Sequence, residues 1–200
     1  MIVLLALLLA GAPPGGDTRT LYLQLIRQAR ADGRPRAAIA YLDDFDRRYP
    51  GDGDARILRI NSLLDLGDVS SAEAAAARLS PDAPAVRGHL LAARGHWAQA
   101  IPLYRHAIAA SPADPLLRNA LGYALLRAGS PAEAIEALRA ARDLAPDDRT
   151  IRNNLLLALS IDGQHAEVDA ILRQVRDDAE QQALRRQIAV QVDRLSRKGN

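Results

Sequence analysis

The sequence has no cysteine, one methionine, one tryptophan, one phenylalanine and, beside 25 arginines, a single lysine. Lacking cysteine, it has no disulfide framework, no thiolate metal site and no thiol nucleophile. Aromatic residues make up only 4% of the chain and β-branched residues are sparse, while Ala, Leu and Arg dominate, so propensity over any long window favours helix. Charge of one sign is also missing. The net charge is +2, and Arg185, Arg186, Arg194, Arg197 and Lys198 against Glu180 and Asp193 give the last stretch about +3. The rest is close to −1, which is no electrostatic footprint for nucleic acid. With 48% hydrophobic and 25% charged residues over 200 positions, the composition is that of one soluble globular domain.

One long apolar run breaks this pattern. Residues 1–12 open with Met1-Ile-Val-Leu-Leu-Ala-Leu-Leu-Leu-Ala10, the length of a signal-peptide core and well short of the roughly 20 residues a membrane-spanning helix needs. Ala10-Gly11-Ala12 fits a small-x-small cleavage site, and residues 13–18 form a Pro/Gly linker. Leu9-Ala10-Gly11 resembles the first three residues of a bacterial lipobox, whose fourth residue is a lipid-accepting cysteine; here it is Ala12. A positively charged n-region is absent. The expectation is export and cleavage near Ala12, with a fortuitously apolar first helix, and hence a cytoplasmic chain, as the alternative. Peripheral membrane association is expected only if the chain is lipidated.

Beyond residue 18 the sequence is repetitive. Gly33, Gly67, Gly95, Gly129 and Gly163 lie 34, 28, 34 and 34 residues apart, each between two apolar-periodic stretches. A small residue stands five positions after four of them (Ala38, Ala72, Ala100, Ala134), with Val168 in the fifth. Pro50, Pro112 and Pro146 come seventeen residues after three of the glycines, where they stop a second helix. Each unit therefore reads helix, tight turn, helix, with glycine supplying the left-handed closing residue.

The clearest unit, PLLRNALGYALLRAGSPAEAIEALRAARDLAPDD from Pro115 to Asp148, resembles the tetratricopeptide repeat (TPR). Leu121-Gly122 matches the paired Leu-Gly, Ala134 and Ala141 the small residues, Leu138 the large one and Pro146 the terminal proline; Arg118 and Leu125 depart from the motif's Trp and Tyr. The resemblance implies an all-α, superhelical stack of about five helix-turn-helix units, 19–52, 53–80, 81–114, 115–148 and 149–178, forming an array over 19–178. The 53–80 unit is six residues short, so its second helix should be stunted. Beyond the array, 179–200 reads as an amphipathic capping helix and tail. Its stripe Leu184, Ile188, Val192 and Leu195 would cover the last unit; a basic surface helix touching anionic lipid or an acidic partner is the alternative.

No constellation supports catalysis. His89, His96, His106 and His165 lie on different helices or turns without the spacing of a metal site, and the clustered glycines lack a following GK[ST]. Asp43-Asp44-x-Asp46 reads as a solvated helix face. No nucleophile, base and orienting group can be assembled, so the chain is read as a non-enzyme with no cofactor and no metal.

What remains is a binding surface for a protein or peptide. First helices of successive units should line a concave groove, giving Leu116, Asn119, Tyr123, Leu126 and Arg127, then Thr150, Asn153, Leu157, Ser160 and Ile161, with Asp54, Ile57, Asn61, Leu64, Asp82, Ala85 and His89 from earlier units. Asn119, Tyr123, Leu126, Arg127, Asn153, Leu157 and Ile161 form the candidate partner-binding set. Asn119 and Asn153 are one period apart, and an amide can pair with an extended peptide or simply bond along the helix face. The only lysine, Lys198, lies outside the array, so a carboxylate clamp of Lys, Asn and Arg is disfavoured and an apolar or amphipathic ligand segment is expected.

The stretch Asp147-Asp148-Arg149-Thr150-Ile151-Arg152-Asn153-Asn154-Leu155-Leu156-Leu157-Ala158-Leu159, together with Gly163 and Ala166-Glu167 after it, resembles the final repeat of TPR proteins of tight-adherence (Flp) pilus assembly. The likeness spans residues 81–178. It implies a periplasmic, outer-membrane-associated accessory protein that helps the secretin assemble or localise, departing from the lipoprotein pattern at Ala12. A TPR subunit of another envelope machine, for cytochrome c maturation or outer-membrane protein assembly, and a cytosolic TPR scaffold remain the alternatives.

Overall fold

The computed structural model describes residues 17–77 and 83–198. The apolar segment 1–12, most of the 13–18 linker, Asp82 and the side chain of Lys198 lie outside the described residues. Every regular element among the described residues is a helix: α1 Asp17–Ala31, α2 Pro35–Arg48, α3 Gly53–Asp65, α4 Val69–Ala76, α5 Pro84–Ala93, α6 Trp97–Ala110, α7 Pro115–Arg127, α8 Pro131–Leu144, α9 Arg149–Ile161, α10 His165–Leu172 and α11 Asp178–Lys198. None of them is long and apolar enough to cross a membrane.

The chain divides into two compact units, Met1–Arg94 and Gly95–Asn200. In the first, α3 packs on α1, α2, α4 and α5; in the second, α7 packs on α6, α8 and α9, and α9 on α8, α10 and α11. Within each unit a first helix thus meets the second helices beside it and the next first helix, the pattern of stacked helix pairs.

Local chemistry sets the boundaries. Gly129 closes α7 with φ of 88°, its N–H donating to the Leu126 carbonyl at 3.2 Å while the Ser130 N–H donates to that of Leu125 at 2.9 Å. A side chain there would be strained, and the turn satisfies two carbonyls that the helix end leaves unpaired. The other periodic glycines share the positive φ, as does Gly51, which the 34-residue spacing does not pick out. Three first helices begin on aspartate: the Asp52, Asp114 and Asp148 carboxylates accept backbone N–H groups at the starts of α3, α7 and α9. Pro115 and Pro131 occupy first helical positions, where a missing N–H costs nothing.

Gly122 shows why the Leu-Gly pair is needed. A Cβ at this position would lie 2.5 Å from Leu138 Cγ and 3.2 Å from the Ala134 carbonyl oxygen. Only glycine lets α7 and α8 approach this closely, with Leu138 fully buried against it.

Second helices differ in length. α2, α6 and α8 have 14 residues, α4 and α10 have 8. The short α4 occupies the 28-residue glycine interval and buries only Ala72. α10 stops at Leu172; α11 comes next, adding Leu184 and Ile188 to the core of α8 and α9, with Val192 and Leu195 packed against its edge. The Asp43/Asp44/Asp46 face is tied down rather than merely solvated. Asp43 and Asp46 ion-pair with Arg59 of α3 at 2.8 and 3.0 Å, and Asp44 accepts from the Tyr22 hydroxyl.

Candidate protein-interaction surface

Within Gly95–Asn200, α7 and α9 are the adjacent first helices, and they place the sequence-derived set unevenly. Leu157 is 2% exposed and Leu126 6%, both inside the hydrophobic core. These two are corrections, since neither offers surface to a partner. The reason is the environment of α9: α7, α8, α10 and α11 all pack on it, and Leu155 through Leu159 are buried without interruption. Ile161 is half-buried against the same core.

The asparagines also pair differently from their period. Asn119, half-buried on α7, accepts at Oδ1 a hydrogen bond from Nδ2 of Asn154 at 2.9 Å, one residue beyond the position a 34-residue repeat aligns with it. Asn153 instead accepts from Arg152 Nε at 3.4 Å. Asn119 therefore bridges two helices with part of its amide already used. In the first unit, Asn61 Oδ1 lies 3.1 Å from His89 Nδ1, a similar polar bridge between α3 and α5. Asp54 there pairs with Arg19 at 2.7 Å.

Tyr123 and Arg127 do stand together, one helical turn apart, and a residue the sequence reading passed over joins them. The Arg127 guanidinium carbon sits 4.4 Å from the centroid of the Trp97 ring and 5.8 Å from that of Tyr123. Trp97 meets Tyr123 edge to face at 5.6 Å and 85°. Nη1 of Arg127 donates to the Tyr123 hydroxyl at 3.2 Å. All three side chains are half-buried. The one available signal for Trp97 was its singularity in a chain so poor in aromatics; it comes two residues after the helix-closing Gly95 but stands 26 residues from Tyr123, outside any periodic match.

Such a cluster combines the side chains most often found at the energetic centres of protein interfaces. An Arg stacked on indole is held by cation–π attraction, pre-organised and still charged. By contrast α11 turns its apolar stripe into the core, and Arg185 is spent on Asp169 at 2.9 Å. Among the described residues no group of three or more His, Asp or Glu side chains could hold a metal ion.

Models of the tetratricopeptide repeat match residues 29–94 and 86–149. Among solved structures, the chain is similar to the 41-to-end portion of MamA from Desulfovibrio magneticus RS-1, at 23% identity over 86% of this chain and 97% of that one, with a TM-score of 0.52. It is also similar to a thermophilic TPR protein of Thermus thermophilus, at 22% identity over 86% of this chain and 97% of that one, with a TM-score of 0.63. At these identities the likeness is one of fold. No curated protein matches the sequence. The two repeat matches together span residues 29–149, more than half of the chain, and with an all-helical stack closed at periodic glycines they show that it belongs to the tetratricopeptide repeat family.

Proposed function

We propose that this chain is a non-catalytic scaffold that holds a segment of a protein partner on the face of α7 beside Trp97, and that the partner is the secretin of a tight-adherence pilus. The observation that carries the first half is the half-buried Trp97, Tyr123 and Arg127 cluster: a rigid aromatic platform with a cation fixed on it. The second half rests on the phrase from Asp147 to Leu159 and on the apolar residues 1–12, which together fit an exported envelope protein cleaved near Ala12.

The test is capture of the secretin by the purified chain. Tyr123→Ala combined with Asn153→Ala weakens capture by roughly tenfold or more, as for loss of an interface anchor, while the chain keeps its helical spectrum and stays folded at the assay temperature. Neutralising Arg186 and Arg194 on α11 changes capture little. If the α11 variant loses the secretin and the α7/α9 variant keeps it, the binding face is misassigned; if the unaltered chain ignores the secretin, the pilus reading fails. Fractionation with intact-mass measurement addresses localisation: a processed periplasmic species is expected, and an intact Met1 terminus in the cytosol overturns export. Ala12→Cys yields a lipidated, membrane-associated form if residues 9–11 are a lipobox remnant.

A further inference from the structure

We infer that Arg127 is a receptor for a side-chain carboxylate, so that the partner segment is acidic at the residue docking on the Trp97/Tyr123 platform and apolar on either side. This deepens the scaffold reading and rests on it. The starting point is how this chain uses arginine. Arg139, a neighbour in the same unit, shows the filled arrangement: Nε and Nη2 donate to the two carboxylate oxygens of Glu167, at 3.4 and 2.5 Å. Arg105 and Arg152 likewise reach Glu133 and Glu180, at 2.8 and 3.0 Å. Arg127 is half-buried too, yet its one hydrogen bond goes from Nη1 to the neutral Tyr123 hydroxyl.

The edge formed by Nε and Nη2 of Arg127 has no acceptor among the described residues, and that edge is the one Arg139 turns to Glu167. Lying over the Trp97 ring and bonded to the Tyr123 hydroxyl, the guanidinium has little freedom left, so a carboxylate meets its two parallel N–H donors at a small cost in side-chain entropy. Aromatic walls lower the local dielectric and strengthen the pair. They also favour apolar neighbours in the segment, which agrees with an amphipathic ligand. A lysine here would keep the charge and lose the fork.

Trp97 is the only tryptophan, so its emission reports on this site alone. The full chain is titrated with an array of capped nonapeptides, acetylated and amidated, that carry Glu or Gln at the centre and varied apolar flanks. The expected result is that the best binders carry Glu, prefer it over the matched Gln peptide by roughly tenfold at low salt, and shift Trp97 emission. The preference shrinks as salt rises. Arg127→Gln removes the preference while the melt of the second unit stays close to that of the unaltered chain; Arg127→Lys retains part of it. A free C-terminal carboxylate on a Gln peptide does not substitute for the internal Glu. The inference is overturned if no Glu peptide outbinds its Gln twin, if Arg127→Gln leaves the preference intact, or if the terminal carboxylate alone restores binding. Peptides that bind without regard to Glu or Gln leave the scaffold reading standing and remove only the acidic specificity. A Glu preference without secretin capture does the reverse.

Discussion

The two units face one packing problem and meet it with different material. Gly95–Asn200 gathers most of its buried aliphatics into one cluster from Leu125 to Ile188, threaded by α9. Met1–Arg94 has two clusters instead. One, from Tyr22 to Leu58, includes Phe45 in ring contact with Tyr22 and Tyr49; the other has only Ile60, Ala72 and Val86 fully buried. The cause lies in α4, VSSAEAAA, which is short and offers Glu73 and Ala76 where α8 offers Ile135 and Leu138. A truncated repeat keeps its glycine turn and its place in the stack but loses core volume. Turn chemistry and burial are thus separable in this fold.

The first way to sharpen the contrast is to remove volume from each core. Leu138→Ala should cost about 2–5 kcal/mol, the usual range for truncating a buried leucine, whereas Ile60→Ala should fall at the low end because its small cluster collapses more easily. Denaturant unfolding followed by residue-resolved NMR compares them, and equal losses would erase the distinction. Gly122→Ala comes next, at about 1–3 kcal/mol of overpacking. Combined with Leu138→Ala, it should cost less than the sum of the two, because the shortened side chain no longer meets the new methyl; strict additivity would disprove the contact.

A smaller difference is expected in acid. Four carboxyl groups of the first unit are held below the ordinary 3.8. Asp32 is held by Gln28 and Arg34, Asp44 by the Tyr22 hydroxyl and Arg47, and Asp68 by Ser71; at Asp52 burial opposes ionisation but hydrogen bonds from Arg19 and the Ala55 N–H outweigh it. A lowered folded pKa stabilises the fold above the unfolded value, and the benefit disappears as pH falls through the folded value. Signals around Asp32, Asp44, Asp52 and Asp68 should therefore broaden or shift as pH falls below about 4; signals that stay unchanged there would contradict it. In the alkaline range Tyr22, pushed up to about 12 by burial and its bond to Asp44, keeps its proton well past an ordinary tyrosine. The smallest effect belongs to the amide bridge. Asn119→Ala should cost about 0.5–1.5 kcal/mol, and adding Asn154→Ala should recover part of it by removing the orphaned partner.

Glycine spacing exposed the fold because a left-handed residue is needed wherever one helix turns back on the next, and few other residues accept that geometry. The Leu121-Gly122 pair was legible for an equally local reason, the close approach to Leu138. The candidate interaction surface was harder to read. Tyr123 and Arg127 share a helix and a turn, so their pairing is a product of helical geometry alone. Trp97 comes from another helix at no fixed period, and only packing brings it over. Leu157 was misplaced because periodicity shows which residues share a face but not how many neighbours surround a helix; α9 has four. A 34-residue repeat aligned Asn119 with Asn153, while the actual partner is one residue on because stacked helices do not meet in sequence register.

Within each unit the helix contacts join elements adjacent in sequence or two apart, and this also has a kinetic meaning. Contacts between segments close in sequence need only short loops to close before they form, so little chain entropy is lost ahead of the reward. Each unit should accordingly fold on the fast side for its length. During synthesis at roughly 5–20 residues per second, a helix pair can settle while the next is still being made. No edge strand is present among the described residues, so each unit should reach its helical form with few opportunities to be trapped by strand pairing.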